Sequence, residues 1–185
     1  MSIRYAILGF LSVRPLSGYD LKKIFEDSII FHWSGNNNQI YRTLVELHHE
    51  GMVTQEIQQQ DDYPARKIYT ITEKGLAELR QWALGEPELP QIKHAFLVQL
   101  AWADQLENDE LDILLRQYEA EVRDQLAMAQ ELKRRKNFSP QRTPREAYLW
   151  DAIMDNKISF YENELNWVRQ VRETLESMQN GGAAS

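Results

Sequence analysis

The chain is predicted to be mainly helical, with one small β-hairpin, in two parts of different character. Three observations predict this. Among 185 residues there are only 8 Gly and 6 Pro, so few points break a helix. Apolar residues recur at three-four spacing through most of the chain, the period of a helix buried on one side. The exception is "MVTQEIQ" and "RKIYTIT", two β-rich runs joined by "QQDDYPA", which reads as a hairpin with its tip.

The elements follow in order. Ile3, Ile7, Leu8 and Leu11 give the first helix its apolar side, and Pro15 ends that segment. Ser17-Gly-Tyr-Asp20 has the S-x-x-D form of a helix start, in which Ser17 caps and Asp20 favours the first turn. Leu21, Ile24 and Phe25 give the second helix a stripe, and "SIIFHWSG" is a long apolar connection to the third. Asn36, Asn37 and Asn38 are candidate caps for that third helix. At about 100° per residue, Ile40, Leu44 and Leu47 face inward. Asn38, Arg42, Val45 and His49 face outward, flanked by Gln39 and Tyr41, and Gly51 stops the helix. After the hairpin, Thr72 opens a fourth helix through Leu76, Leu79, Trp82 and Ala83, and "GEPELP" breaks the chain.

The remainder is helical. Residues 92–106 form a short apolar segment. Residues 109–136 form a long helix with Leu111, Leu115, Tyr118, Val122, Leu126, Ala129 and Leu132 in phase, ending in "KRRK", a cationic complement to the helix dipole. Thr143-Pro-Arg-Glu146 combines an N-cap, a first-position proline and a capping box. The helix it opens is predicted to reach about Met178, roughly 50 Å long. Met154, Ile158, Tyr161, Leu165, Val168, Leu175 and Met178 line one edge of it, as if awaiting a second copy of the chain in a two-fold dimer. The expected organisation is a domain at 1–85, a linker at 86–91, a helical dimerisation and effector domain at 92–179, and a disordered tail at 180–185.

Composition narrows the function. There are no cysteines, which excludes disulfides and thiolate zinc sites. No run approaches the roughly 18 apolar residues of a membrane span, and the N-terminus lacks a small-residue cleavage site; the expectation is a cytoplasmic protein that does not engage membranes. The formal charge is −7, but residues 1–85 hold 9 Lys/Arg against 10 Asp/Glu. The acid is therefore concentrated in the second part, and a nucleic-acid surface is compatible with the first. The four histidines, 32, 48, 49 and 94, accompany no nucleophile elbow or phosphate loop. No enzymatic activity and no cofactor are expected. His48 and His49 beside Glu46 and Glu50 do not form a metal site, because adjacent helical residues point about 100° apart.

Three helices followed by a hairpin is the order of a winged helix-turn-helix, whose third helix enters the major groove with its N-terminal residues on base edges. Asn and Gln suit adenine N6 and N7, Arg suits guanine O6 and N7, and Val45 suits a thymine methyl. Tyr41 either reaches a phosphate or shields the edge of the second helix.

The residues also resemble a specific family. "YAILGFLSVRPLSGYDLKKIF", "QIYRTLVELHHEGMV" and "RKIYTITEKGLAEL", followed by "KHAFLVQLAWAD" and "YLWDAIMDNKISFYENELNWVRQV", are similar to the PadR family of bacterial transcriptional regulators. The resemblance covers nearly the whole chain up to the tail. It implies a homodimeric repressor on a pseudo-palindromic double-stranded DNA operator, released by a small effector. It carries the recognition positions onto Asn38, Gln39, Tyr41 and Arg42, and the wing contacts onto Arg66 and Lys67. Asp61 and Asp62 depart from the basic or glycine-rich wing tip usual in the family. Acids there repel phosphate, so affinity leans on the third helix. Phe96, Trp102 and Trp150 are the candidate seat of an aromatic effector, against the plainer reading of such aromatics as core or dimer interface. The rival to DNA binding is a dimeric interaction module using the same winged surface on protein.

Overall fold

A computed structural model describes residues 3–26, 37–59, 65–89, 94–135 and 140–182. The connection after the second helix, the candidate cap Asn36, the acidic wing tip Asp61 and Asp62, most of the linker's far end, Lys136 and the last three residues lie outside them. The chain divides into two compact units, Met1–Glu88 and Leu89–Ser185. Among the described residues no helix is long and apolar enough to cross a membrane.

In the first unit α1 (Ile3–Leu11), β1 (Leu16–Ser17), α2 (Gly18–Glu26), α3 (Asn37–His49), β2 (Val53–Gln58), β3 (Arg66–Ile71) and α4 (Glu73–Ala83) follow in order. The sheet is antiparallel with β3 central, Val53 opposite Ile71 and Gln58 opposite Arg66, and Leu16 opposite Tyr69 on the other edge. β1 was not anticipated: two residues carry no periodicity, and Ser17 reads as a cap. It is in fact both, because its backbone pairs with β3 while its side chain caps α2.

The core explains why α3 is held where it is. Ile7, Leu8, Leu21, Leu44 and Leu47 are almost wholly buried, with Ile40, Val53 and Tyr69 close behind. Gly51 follows α3 with φ +73°, a left-handed conformation that glycine adopts without a Cβ penalty. Its turn leads through the buried Met52 into β2 at Val53. Thr72 then caps α4 by accepting the Gly75 amide at 3.1 Å. A Cβ on Gly75 would stand 2.3 Å from the Met52 carbonyl oxygen, so α4 can pack against this turn only through a glycine. The stripe expected on α4 is not a buried one within the described residues: Leu76 and Trp82 are exposed, Trp82 lying parallel to Tyr5 of α1 at 4.6 Å between ring centroids.

The second unit holds α5 (Ala95–Ala101), a single 3₁₀ turn at Ala103–Gln105, α6 (Asn108–Arg135) and α7 (Pro144–Gly182). α7 has 39 residues and is roughly 58 Å long at 1.5 Å per residue. It runs to Gly182, so the tail expected from 180 is still helical there. Its Met154, Leu165 and Val168 are buried within the chain itself, Val168 clustering with Leu115 of α6 and Phe96 of α5. The stripe expected to await a second copy is thus already covered, chiefly by α6. Met178, expected at the end of that stripe, is instead exposed and joins Leu149, Ile153 and Phe160, also exposed, within an arc of about 40° on the helix wheel.

Candidate nucleic-acid interface

α3 presents its polar side as the wheel predicts. Asn38, Gln39, Tyr41, Arg42, Val45, Glu46, His48 and His49 are exposed, while Ile40, Thr43, Leu44 and Leu47 are buried. Asn38, Gln39, Arg42, Thr43 and Glu46 line one shallow depression on this helix. The Arg42 side chain is 82% exposed and donates from Nε to Glu46 Oε1, one turn later, at 3.0 Å. Such an exposed i,i+4 pair is worth about 0.3–0.5 kcal/mol, against about 1–3 kcal/mol for a bidentate guanine contact. The Glu46 pair is thus too weak to prevent Arg42 from taking a base edge if one were presented to it.

Tyr41 is less free. It is 46% exposed, and a Cβ on Gly18 would stand 2.4 Å from its Cε1. Its ring thus lies on the first turn of α2, as the shielding alternative requires, while one side stays open to solvent.

The far end of α3 is fixed by charge. The Arg4 guanidinium of α1 grips both Glu50 carboxylate oxygens, and Lys74 of α4 donates to the Glu50 carbonyl at 2.8 Å. Arg4 beside it holds the Glu50 carboxyl below the usual carboxylate range. Three helices are joined at this point.

On the wing, Lys67 is exposed, opposite Ile57 of β2. Arg66 is turned inward along β3. Its Nη2 donates to Ser17 Oγ at 3.0 Å and pairs with the Asp20 carboxylate. Sequence reading missed this link because nothing in a single sequence connects positions 46 residues apart.

In the second unit the effector candidates are not equivalent. Phe96 is buried, stacked on Tyr118 at 3.7 Å and set edge-on to Trp167 at 6.2 Å. Trp150 is half-buried and Trp102 is 69% exposed. Beside Phe96 runs a polar chain that the sequence did not announce. Tyr118 Oη donates to Glu164 at 2.6 Å and meets His94 Nε2 at 2.7 Å. Burial, and then the Glu164 carboxylate, push the Tyr118 hydroxyl far above its ordinary range, so it remains a donor at any physiological pH.

Residues 7–81 match the transcriptional regulator PadR-like family, and residues 92–176 match the virulence activator alpha C-terminal family. The first compact unit therefore carries a PadR-like family domain. It is 32% identical over 115 residues, 62% of its length, to the negative transcriptional regulator PadR of Bacillus subtilis, and 37% identical over 90 residues, 49% of its length, to a probable transcriptional regulator of Mycobacterium tuberculosis. The matched stretches span 63% and 47% of those relatives' lengths. Among solved structures, Bacillus subtilis PadR in complex with operator DNA superposes with a TM-score of 0.80 at 25% identity, covering 93% of this chain and 97% of that one. The same relative in complex with p-coumaric acid superposes at 0.75 and 23% identity, covering 94% and 95%, and shows the shared fold.

The two family matches fall either side of the "GEPELP" break, one on each compact unit. The polar side of α3 lies in the first match, and the Phe96, Tyr118 and Trp167 cluster lies in the second.

Proposed function

We propose that this chain is a sequence-specific DNA-binding repressor, acting as a cytoplasmic homodimer on a pseudo-palindromic operator and released by a small aromatic effector. The observation that carries the reading is the exposed polar side of α3, held by Leu44 and Leu47 beneath it and by Arg4 at its end. Asn38, Gln39 and Arg42 supply the side-chain amides and guanidinium that read base edges. Tyr41 and Lys67 reach the backbone, where contacts set register. The PadR-like family match over residues 7–81 and the operator complex of the Bacillus subtilis relative support the same assignment. The chain is then a regulator and not an enzyme.

The homodimer rests on α7. Leu149, Ile153, Phe160 and Met178 form an exposed apolar line on a helix whose other apolar side is already buried. A second copy burying the same line against itself gives the two-fold symmetry that a palindromic site demands. For the effector, the relative's p-coumaric acid complex supports an aromatic acid, and Phe96, Trp102 and Trp150 supply flat apolar surfaces for it. Release follows if the effector favours a dimer whose two α3 helices no longer match the half-site spacing.

The test is a mobility shift on DNA upstream of the protein's own coding region, with scrambled competitor. A salt-sensitive, sequence-specific shift supports the reading. Its absence, with capture of a protein through the α3 face, would favour the interaction-module alternative.

A further inference from the structure

The first turn of α2 contains more bonding than a helix cap requires. Asp20 accepts from the Ser17 amide and from Ser17 Oγ, each at 2.9 Å, and the Asp20 amide returns a bond to Ser17 Oγ at 3.2 Å. That reciprocal box is complete by itself. Arg66 is an addition, brought from β3 to reach both Ser17 Oγ and the Asp20 carboxylate. Ser17 is 3% exposed, and the Asp20 and Arg66 side chains are 31% and 37% exposed. On its other side the same turn meets α3, where Gly18 lets the Tyr41 ring approach. One turn thus touches both the wing strand and the helix assigned to the groove.

We infer that Asp20 and Arg66 are positioning residues that hold the start of α2, the Tyr41 ring and the wing strand in one arrangement, Arg66 serving the DNA surface through Asp20 rather than by touching phosphate. The inference rests on the DNA-binding reading above. It assigns an acidic residue a favourable part in binding a polyanion, which charge alone would not allow.

The two roles for Arg66 separate in salt. Each phosphate contact adds about 0.9 to the slope of log affinity against log salt concentration. A positioning residue lowers affinity without changing that slope. Asp20→Asn, Arg66→Gln, the double variant and the wild-type chain are to be compared by fluorescence anisotropy on the upstream DNA across a range of NaCl. Each single substitution is expected to weaken binding about tenfold, with the double variant no more than about threefold weaker than either. All slopes are expected to equal the wild-type slope. A slope reduced by about one for Arg66→Gln alone, or two effects that multiply, would overturn the inference.

Should Arg66→Gln not fold, Asp20→Asn decides alone. Deleting a passive acid near DNA leaves binding unchanged or tightens it, which would overturn the positioning role. Weaker binding at an unchanged slope supports it. No specific complex with the wild-type chain would overturn the DNA-binding reading, and the inference with it. A wild-type complex with the opposite variant pattern overturns the inference alone.

Discussion

Arg42 sits on the exposed side of α3, one turn before Val45. Arg42→Ala removes the guanidinium, with only its weak link to Glu46 at stake in the free protein. Stability is expected to stay within about 0.5 kcal/mol, while specific DNA affinity falls by about 1–3 kcal/mol if it reads guanine. Thermal melts and anisotropy on the upstream DNA measure the two quantities. Unchanged affinity would remove Arg42 from the interface. Glu119 offers a different residue-scale expectation. Its side chain is 9% exposed and accepts from Arg123 at 2.7 Å, Arg172 at 2.8 Å and Arg169 at 3.1 Å. Burial would raise its carboxyl, but Arg169, Arg172 and Arg123 outweigh burial and hold it below the ordinary carboxylate range. A depressed folded value means the contribution is full above about pH 4.5, the unfolded range, and is lost as pH falls through the folded value. The melting temperature of the wild-type chain should therefore decline in that acid window, and Glu119→Gln should flatten the decline. A parallel decline in both chains would remove Glu119 from the pH dependence.

At the scale of elements, α3 is held from beneath and α6 is held to α7 by both packing and charge. Leu44 is fully buried, so Leu44→Ala is expected to destabilise the first unit by about 2–5 kcal/mol, measured by chemical denaturation, although it touches no proposed contact. Arg172 joins Glu119 to Asp112 on α6, and its side chain is 19% exposed. Arg172→Met should cost about 1.5–3 kcal/mol in the same experiment; a neutral outcome would mean that Arg123 and Arg169 satisfy Glu119 alone. Much of this level was legible beforehand. The inward and outward sides of α3 follow from a 3.6 period, and the caps at Ser17, Thr72 and Thr143 follow from local spacing, with the Glu146 amide donating to Thr143 Oγ1 at 3.1 Å. Periodicity says that a side is buried, but not against what. The inner stripe of α7 was therefore given to a second copy, when α6 covers it, and the outer line at Leu149, Ile153 and Phe160 went unseen. Long-range polar links such as Asp20 with Arg66, or Tyr118 with Glu164, leave no local pattern at all.

For the whole molecule the two compact units divide the proposed work: the first presents α3, and the second supplies the pairing surface. Ile153→Glu places a charge in the exposed line of α7 without disturbing the buried stripe. It is expected to convert a dimer to a monomer in sedimentation at micromolar concentration, with the helical content kept. A monomeric wild-type chain would instead leave a palindromic operator without a matching symmetry. The half-sites of that operator should lie about 34 Å, one helical turn, or a multiple apart. The decisive measurement is therefore stoichiometric: sedimentation of the full chain with a duplex from upstream of its own coding region. Two chains per duplex, with affinity falling steeply as salt rises and lost on scrambling one half-site, is the outcome expected of a two-fold reader using α3. One chain per duplex, or equal affinity for the scrambled duplex, would show that the polar side of α3 does not read an operator.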